Sequence, residues 1–586
     1  MQICEVKTVQ DDVYPIAFYE ITAFVILLFT IACGIKMVYN CGSMSERYYI
    51  RNEVFVMSII TVNVNKKYLK LPISGYVGAR TLKIIKNGEL LDDIRCRLDF
   101  VNPQAYAYYD VSAYIGKEIT VDVSPDMDID GLSKCMSDTA ENRSCAFRPF
   151  VHFTVPFGWI NDPNGLVVYT SKKTGKTVYH LFCQHNPYDW VWGNMHWGHA
   201  VSEDLIHWEY LGDVLKPDEN GTMFSGSAIV DYENKSGLKD GDEDVIFLFY
   251  TCAGNTSVRS AGKKFTQCAA YSTDGGVTFK KYEKNPVVGH IYAENRDPKV
   301  IWCDEKNCFV MALYLDGNDY CLLVSDNLLD WRELQRVHLG CDCECPDFYP
   351  LTASNGEKKW ILSGASQYYL VGDFKDGKFE AKQDVKHLKY GSSSYAAQTY
   401  SYPNNARRIQ LAWDRETSFG NDPIRGQMGI PCELTLACEK GEYYLCASPA
   451  AECDKIVRDK TEYENIGIGG GKTFAASLEE SAYILDVSLE GIENTAVEIE
   501  IFGQKIKLDM HDKTLHAFDK SMPLCVTGSG TSLCLVIDKG SVEAFADGGK
   551  AIMTVPWTAD LNLKSCTITS SENIVLKKLT IRRIAL

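Results

Sequence analysis

The sequence predicts an all-β protein, a β-propeller flanked by smaller β domains. One observation is a diverged repeat in the middle of the chain. Ser202-Glu203-Asp204-Leu205-Ile206-His207-Trp208 is echoed by Ser325-Asp326-Asn327-Leu328-Leu329-Asp330-Trp331, with Ser272-Thr273-Asp274-Gly275-Gly276-Val277-Thr278-Phe279 between them. Each copy follows an apolar stretch and places a Ser/Asp turn before an aromatic that restarts a strand. Repeats spaced somewhat beyond about 40–45 residues mark propeller blades with loop insertions, although spacing leaves the blade number open. The repeated aspartates read as turn residues bonding their own backbone. A second observation is the short apolar/polar alternation of both flanks, the period of half-buried strands. A third is the aromatic content of 11 %, with 33 Tyr and 10 Trp, residues that β-rich folds favour.

At 586 residues the chain exceeds one compact core, so two or three domains are expected. Residues 1–43 hold an apolar segment from Pro15 to about Tyr39, uncharged between Ile21 and Ile35. That length suits a membrane anchor if Glu20 and Lys36 reach the interface. Glu5, Asp11 and Asp12 against Lys7 make a poor signal peptide. Lys36, Arg47 and Arg51 on the far side place the remainder in the cytoplasm by the positive-inside rule. Translation from Met44, or export of the whole chain, are the alternatives.

Residues 44–140 read as a small N-terminal β domain. Its strands include Val54-Phe55-Val56-Met57 and Ile119-Thr120-Val121-Asp122-Val123, its turns Lys86-Asn87-Gly88, and a polar link runs from Asp126 to Asn142. Residues 148–445 form the propeller. Gly467-Ile468-Gly469-Gly470-Gly471 reads as a flexible boundary. Residues 460–586 read as a C-terminal β-sandwich, with strands at Val497–Ile501, Leu533–Ile537 and Val542–Phe545 and a hairpin turn at Asp547-Gly548.

A formal charge of −17 argues against nucleic acid as a partner and suits a neutral ligand. The 22 cysteines show no repeated Cys-x-x-Cys spacing. On a strand, Cys341, Cys343 and Cys345 would share one face and chelate a tetrahedral metal poorly. Free thiols are expected, and no metal or cofactor.

Three acids stand in unusual contexts: Asp162 in Trp159-Ile160-Asn161-Asp162-Pro163-Asn164-Gly165, Asp297 between Arg296 and Pro298, and Glu344 before Cys345-Pro346. Each alone reads as a turn or strand end. As a set, in a region dense in Trp and Tyr, they are the equipment of a glycoside hydrolase, which sets two carboxyl groups about a glycosidic bond.

These motifs resemble the signature of glycoside hydrolase family 32, the invertases, inulinases and levanases. Further segments match in order: His180-Leu181-Phe182-Cys183-Gln184, Trp192-Gly193-Asn194-Met195-His196-Trp197-Gly198-His199, Phe224-Ser225-Gly226-Ser227, Tyr395-Ala396-Ala397-Gln398-Thr399, Leu411-Ala412-Trp413 and Arg425-Gly426-Gln427. The resemblance implies a five-bladed propeller, a C-terminal sandwich, and release of fructose from β-D-fructofuranosides with retention. It implies Asp162 as nucleophile, Glu344 as general acid/base, and Asp297 as a holder of fructose hydroxyls. Asn161, Gln184, Trp192, Phe224, Ser225, Arg296, Trp159 and Trp413 are the expected substrate-binding residues. Two physical expectations accompany these roles. Donors in a turn around Asp162 should keep it ionised, and Asp342 and the other acids should raise the pKa of Glu344. Cys343 departs from the family, standing where relatives often carry an aromatic.

Ser272–Phe279 also nearly matches the Asp-box of sialidases, but no arginine cluster or tyrosine nucleophile motif accompanies it. A fructosyltransferase would need the same three acids. A non-catalytic fructan-binding protein would normally have lost one of them.

Overall fold

The computed structural model describes residues 58–586, apart from 142–144, 146, 376, 403–406 and 525–529. The apolar segment 15–39 and the expected strand Val54–Met57 lie outside the described residues. Among the described residues no helix is long and apolar enough to cross a membrane.

The centre of the molecule is a ring of five antiparallel blades. Their innermost strands are Gly158–Thr170, Thr222–Asp231, Arg296–Cys303, Asp347–Thr352 and Ser394–Thr399, in blades I to V. The ring closes where Ile424–Met428 pairs with the blade V strand Ile409–Ser418 and, in parallel, with the start of Gly158–Thr170. The second strands of blades II and III, Val245–Ala253 and Cys308–Asp316, read VIFLFYTCA and CFVMALYLD and are buried almost throughout. Sandwiched between neighbouring blades, they have no polar face, hence the continuous apolar runs.

The three repeat copies are one structural device. Each joins the third strand of a blade to the fourth, in blades I, II and III. Asp204 accepts the N–H groups of Ile206 and His207, Asp274 those of Val277 and Thr278, and Asn327 those of Leu329 and Asp330. They are turn residues, as expected.

Residues 58–137 form a four-stranded and a three-stranded sheet around Val62, Leu71, Leu82, Ile84 and Val121. The turn between Arg80–Lys86 and Glu89–Cys96 uses Asn87 at φ 51° and Gly88 at φ 82°, the left-handed pair that matches hairpin twist. The expected polar link is part of this body. Leu132 is buried in its core, and Met136–Ser137 pairs with Tyr68–Ile73. Polar composition hid the segment because only one of its faces is inward.

At the C-terminal end a seven-stranded and a six-stranded sheet pack face to face. The expected boundary at Gly467–Gly471 is not a boundary. Strand Val457–Ile468 already belongs to this sandwich, and Gly469 and Lys472 exchange backbone hydrogen bonds in a tight turn after it. Glycine was needed there for left-handed backbone, with φ 108° at Gly469 pressed against the Glu572 carbonyl, not for a hinge.

Candidate active site

The three acids do not lie in ordinary turns. Asp162 and Asp297 sit on innermost strands, and Glu344 lies three residues before the start of a third, Asp347–Thr352. The prolines that follow Asp162 and Asp297 fall at irregularities in the pairing and the one that follows Cys345 precedes its strand, so none of them breaks a regular ladder. The pairing is bulged at the site in four blades: at Ile160/Pro163, Phe224/Gly226, Arg296/Lys299 and Tyr395/Gln398. In blade IV the equivalent distortion is left-handed backbone at Glu344, φ 56°, and Cys345, φ 36°. Asp297 has φ 66° and Ala396 φ 51°. Bulges and strained φ values of this kind re-aim side chains, here toward the ring axis. Gly226 is obligatory, since a Cβ there would meet the Phe249 carbonyl oxygen at 1.9 Å.

The structure brings the acids together through shared neighbours. The Cys345 thiol lies 3.6 Å from carboxylate oxygens of both Asp162 and Asp297, and the Cys345 N–H donates to Asp297 at 3.0 Å. Arg296 donates to Glu344 Oε1 at 2.6 Å and lies 3.9 Å from Asp297. Ser225 donates to Asp162 at 2.6 Å. The Tyr395 hydroxyl donates to Glu344 Oε2 at 2.6 Å. Below the acids, Lys299 and Asp347 form a buried ion pair at 3.1 Å, and both also bond the backbone of Thr399, tying blades III, IV and V.

Burial pushes the Asp162 carboxyl up, against hydrogen bonds from Ser225 and Asn161, with Glu344 adding to the rise. The expectation that turn donors would hold it low is therefore corrected: desolvation outweighs them. Burial raises Asp297 to about 7 despite Arg296, with Glu344 and Asp162 adding to the rise. The Asp342 carboxylate bonds backbone groups, accepting the N–H groups of Cys343, Ser366 and Tyr368, and braces that turn. What faces Glu344 is Arg296 and Tyr395. Cys341, Cys343 and Cys345 lie off any strand and grade from exposed to buried, so they do not share a face. All 18 described cysteines are free thiols.

Of the expected binding residues, Trp159 donates to Asn161 at 2.8 Å and stands edge-on to Trp413, 5.6 Å between centroids. Trp192, 55 % exposed, meets Phe224 edge-on. Gln184 Nε2 and Trp413 Nε1 are buried and bond to no described residue. Sequence reasoning missed Tyr395, Cys345, Thr251 and Gln398 as site residues. Thr251 receives the Asp297 N–H, and Gln398 donates to the Cys345 and Pro346 carbonyls. Tyr395 and Gln398 stand in a matching motif, which was the available signal; nothing in the sequence marks Thr251. Two larger clefts, about 440 and 460 Å³, open elsewhere, and none of the three acids lines them.

Residues 152–449 match the family model of the glycosyl hydrolases family 32 N-terminal domain. The chain belongs to glycosyl hydrolase family 32. It is 31 % identical over 491 residues to a levanase of Bacillus subtilis, spanning 74 % of this chain and 70 % of that one. It is 36 % identical over 329 residues to an invertase of Debaryomyces hansenii, spanning 51 % of this chain and 58 % of that one. Among solved structures, the fructofuranosidase of Schwanniomyces occidentalis complexed with fructose is 25 % identical with a TM-score of 0.66, covering 76 % of this chain and 100 % of that one. The exo-inulinase of Aspergillus awamori, 23 % identical, shares the fold at a TM-score of 0.65 over 76 % of this chain and 99 % of its own.

This family 32 chain holds a second buried ionic cluster, behind Trp413 where propeller meets sandwich. His152, Asp414 and Glu543 form a set of donor atoms close enough for a metal ion. Both imidazole nitrogens are already engaged, Nδ1 with Asp538 at 2.9 Å and Nε2 with Glu543 at 3.2 Å. Burial opposes charging, but the hydrogen bonds to Asp538 and Glu543 raise His152 to about 10. The imidazolium is thus the cation of this cluster. His152→Gln leaves two buried carboxylates unpaired and should cost roughly 3–5 kcal/mol. The folded pKa lies above the free value, so the charge contribution is complete below about pH 6.5 and lost as pH rises through about 10. The melting-temperature gap between the two proteins should narrow over that interval. A pH-independent gap contradicts the charged assignment.

Proposed function

We propose that this chain is a retaining β-fructofuranosidase, releasing fructose from sucrose, fructo-oligosaccharides, inulin or levan. The observation that supports the reading most directly is the meeting of Asp162, Asp297 and Glu344, from three blades, around one thiol and one guanidinium. In this reading Asp162, held by Ser225, attacks the anomeric carbon. Glu344, its side chain 31 % exposed and held at one oxygen by Arg296 and at the other by Tyr395, protonates the departing oxygen and then activates water. Asp297 bonds fructose hydroxyls and offsets developing positive charge. The free donors of Gln184 and Trp413 and the faces of Trp159 and Trp192 receive the sugar. The propeller at 148–445 is then the catalytic domain, with bodies at 44–140 and 460–586 supporting it.

Product analysis on sucrose, inulin and levan tests the reading, with free fructose the expected product. Accumulation of longer fructans instead would reassign the chain to transfer. The mechanism also predicts net retention, read by NMR as the first-formed anomer of fructose, because the Asp162 ester is opened from the face that Glu344 serves. An inverted first product removes the nucleophile even if the substrate is right.

A further inference from the structure

We infer that the N-terminal β domain shapes the mouth of the substrate site, with Asn194 and Arg97 as positioning residues that hold Trp192 in place for the sugar. The inference rests on the fructosidase reading above.

Trp192 lies in the connection 187–195 between the blade I strands Thr177–Asn186 and His196–Ser202. More than half exposed, an indole there has little of its own blade to fix it. The connection is instead anchored on both sides of Trp192 to the strand Glu89–Cys96 and the residue that follows it. On one side, the fully buried Asp189 accepts the Arg97 backbone N–H at 3.0 Å and its Nε at 3.0 Å, with Nη2 closing a two-pronged pair. Asp189 also accepts the Trp190 N–H, and Trp190 sits in the N-terminal domain's own core under the Arg97 guanidinium.

On the other side, Asn194 adopts left-handed backbone, φ 45°. Its side-chain amide accepts the Arg95 N–H at 2.8 Å and donates to the Arg95 carbonyl at 2.8 Å. Glu89–Cys96 is the last strand of its sheet, so these backbone groups are open. The Asn194 amide takes them as another strand would. The same amide donates to Asn186, which in turn donates to the Val191 carbonyl.

The same strand braces a second wall. Asp93 accepts the N–H groups of Val258 and Arg259 at 2.8 and 3.2 Å, and Arg259 reaches Asp92. That connection leads to Phe265, which packs on Phe224, which packs on Trp192. Phe224 precedes Ser225, the partner of Asp162. One edge strand of the N-terminal domain therefore braces the connections that carry both ends of an aromatic wall, whose middle ring, Phe224, precedes the serine that bonds Asp162. Its role is to keep a sugar-facing surface preorganised, which acts on substrate binding more than on the chemical step.

The test is a double-mutant cycle on the full chain, Asn194→Ala with Trp192→Ala, assayed on sucrose and inulin. Asn194→Ala should raise KM about 10-fold with kcat within about 3-fold of wild type, the mark of lost uniform binding. In the Trp192→Ala background it should add almost nothing, because Asn194 works through Trp192. Arg97→Met should shift KM in the same direction, and its melting temperature separates that effect from loss of the Asp189 partner. Unchanged KM in Asn194→Ala, equal losses in both backgrounds, or a fall in kcat alone overturns the inference. A wild-type protein that releases no fructose from either substrate overturns the fructosidase reading instead.

Discussion

Asp162→Asn is expected to lower fructose release from sucrose by at least roughly 10⁴-fold, the scale of losing a covalent nucleophile, with the fold intact. The amide is isosteric, and Ser225 and Asn161 remain to hold it. Stability should hold or rise. Burial lifts the Asp162 pKa, so the ionised carboxylate is disfavoured in the folded state at neutral pH, and a neutral amide relieves that cost. The acid limb of kcat/KM carries the matching signature. Activity needs ionised Asp162, so the rate should rise with pH through a midpoint raised from the ordinary aspartate value. Asp297, raised to about 7, titrates in the same cleft, and the limb belongs to the group as a whole. Near-wild-type turnover in a folded Asp162→Asn protein would remove it as nucleophile.

Glu344→Gln should cost roughly 10²–10⁴-fold on sucrose. It should cost much less on an aryl fructoside whose phenolate leaves without a proton. The difference between substrates, more than either loss, identifies a general acid. The variant keeps the side-chain shape but loses the charge that pairs with Arg296. Arg296 then retains Asp297 at 3.9 Å and the Glu294 carbonyl at 2.8 Å, so the wall should survive. Equal losses on both substrates would instead point to a positional role. Tyr395 offers a check within the same geometry. Its hydroxyl fixes the other Glu344 oxygen, so Tyr395→Phe should weaken the sucrose reaction in the same direction by a smaller factor.

Much of the fold was legible because its devices are local. The Ser-x-Asp or Ser-x-Asn turns of three blades depend on side chains two to four residues from the groups they bond, and their spacing exposed the repeat. Apolar runs such as Val245–Ala253 announce strands enclosed on both faces. Less legible were segments whose composition misdescribes their place. The glycine run after Ile468 resembles a linker and is a turn forced to left-handed φ, and the polar stretch after Asp126 contributes Leu132 to a core. The ionisation of Asp162 was not legible because desolvation outweighs the hydrogen bonds from Ser225 and Asn161, and desolvation depends on everything packed around the group. Asp342, near Glu344 in sequence, spends its carboxylate on the backbone of Cys343, Ser366 and Tyr368.

Read alone, the chain specifies an all-β family 32 enzyme with three acids in fixed motifs, because each motif is continuous and its residue types serve one chemistry. Ring closure decided the rest. Only when five innermost strands converge do Cys345, Arg296, Ser225 and Tyr395, drawn from four blades, touch the same three carboxyls. Their burial then sets Asp297 near 7 and lifts Asp162. The clamp on Trp192 is likewise invisible in sequence, since Asn194 and Arg95 meet only where an unpaired sheet edge of one domain lies against a loop of another. Such contacts depend on distance through space, and desolvation depends on everything packed around a group, so neither is written in any local run of residues.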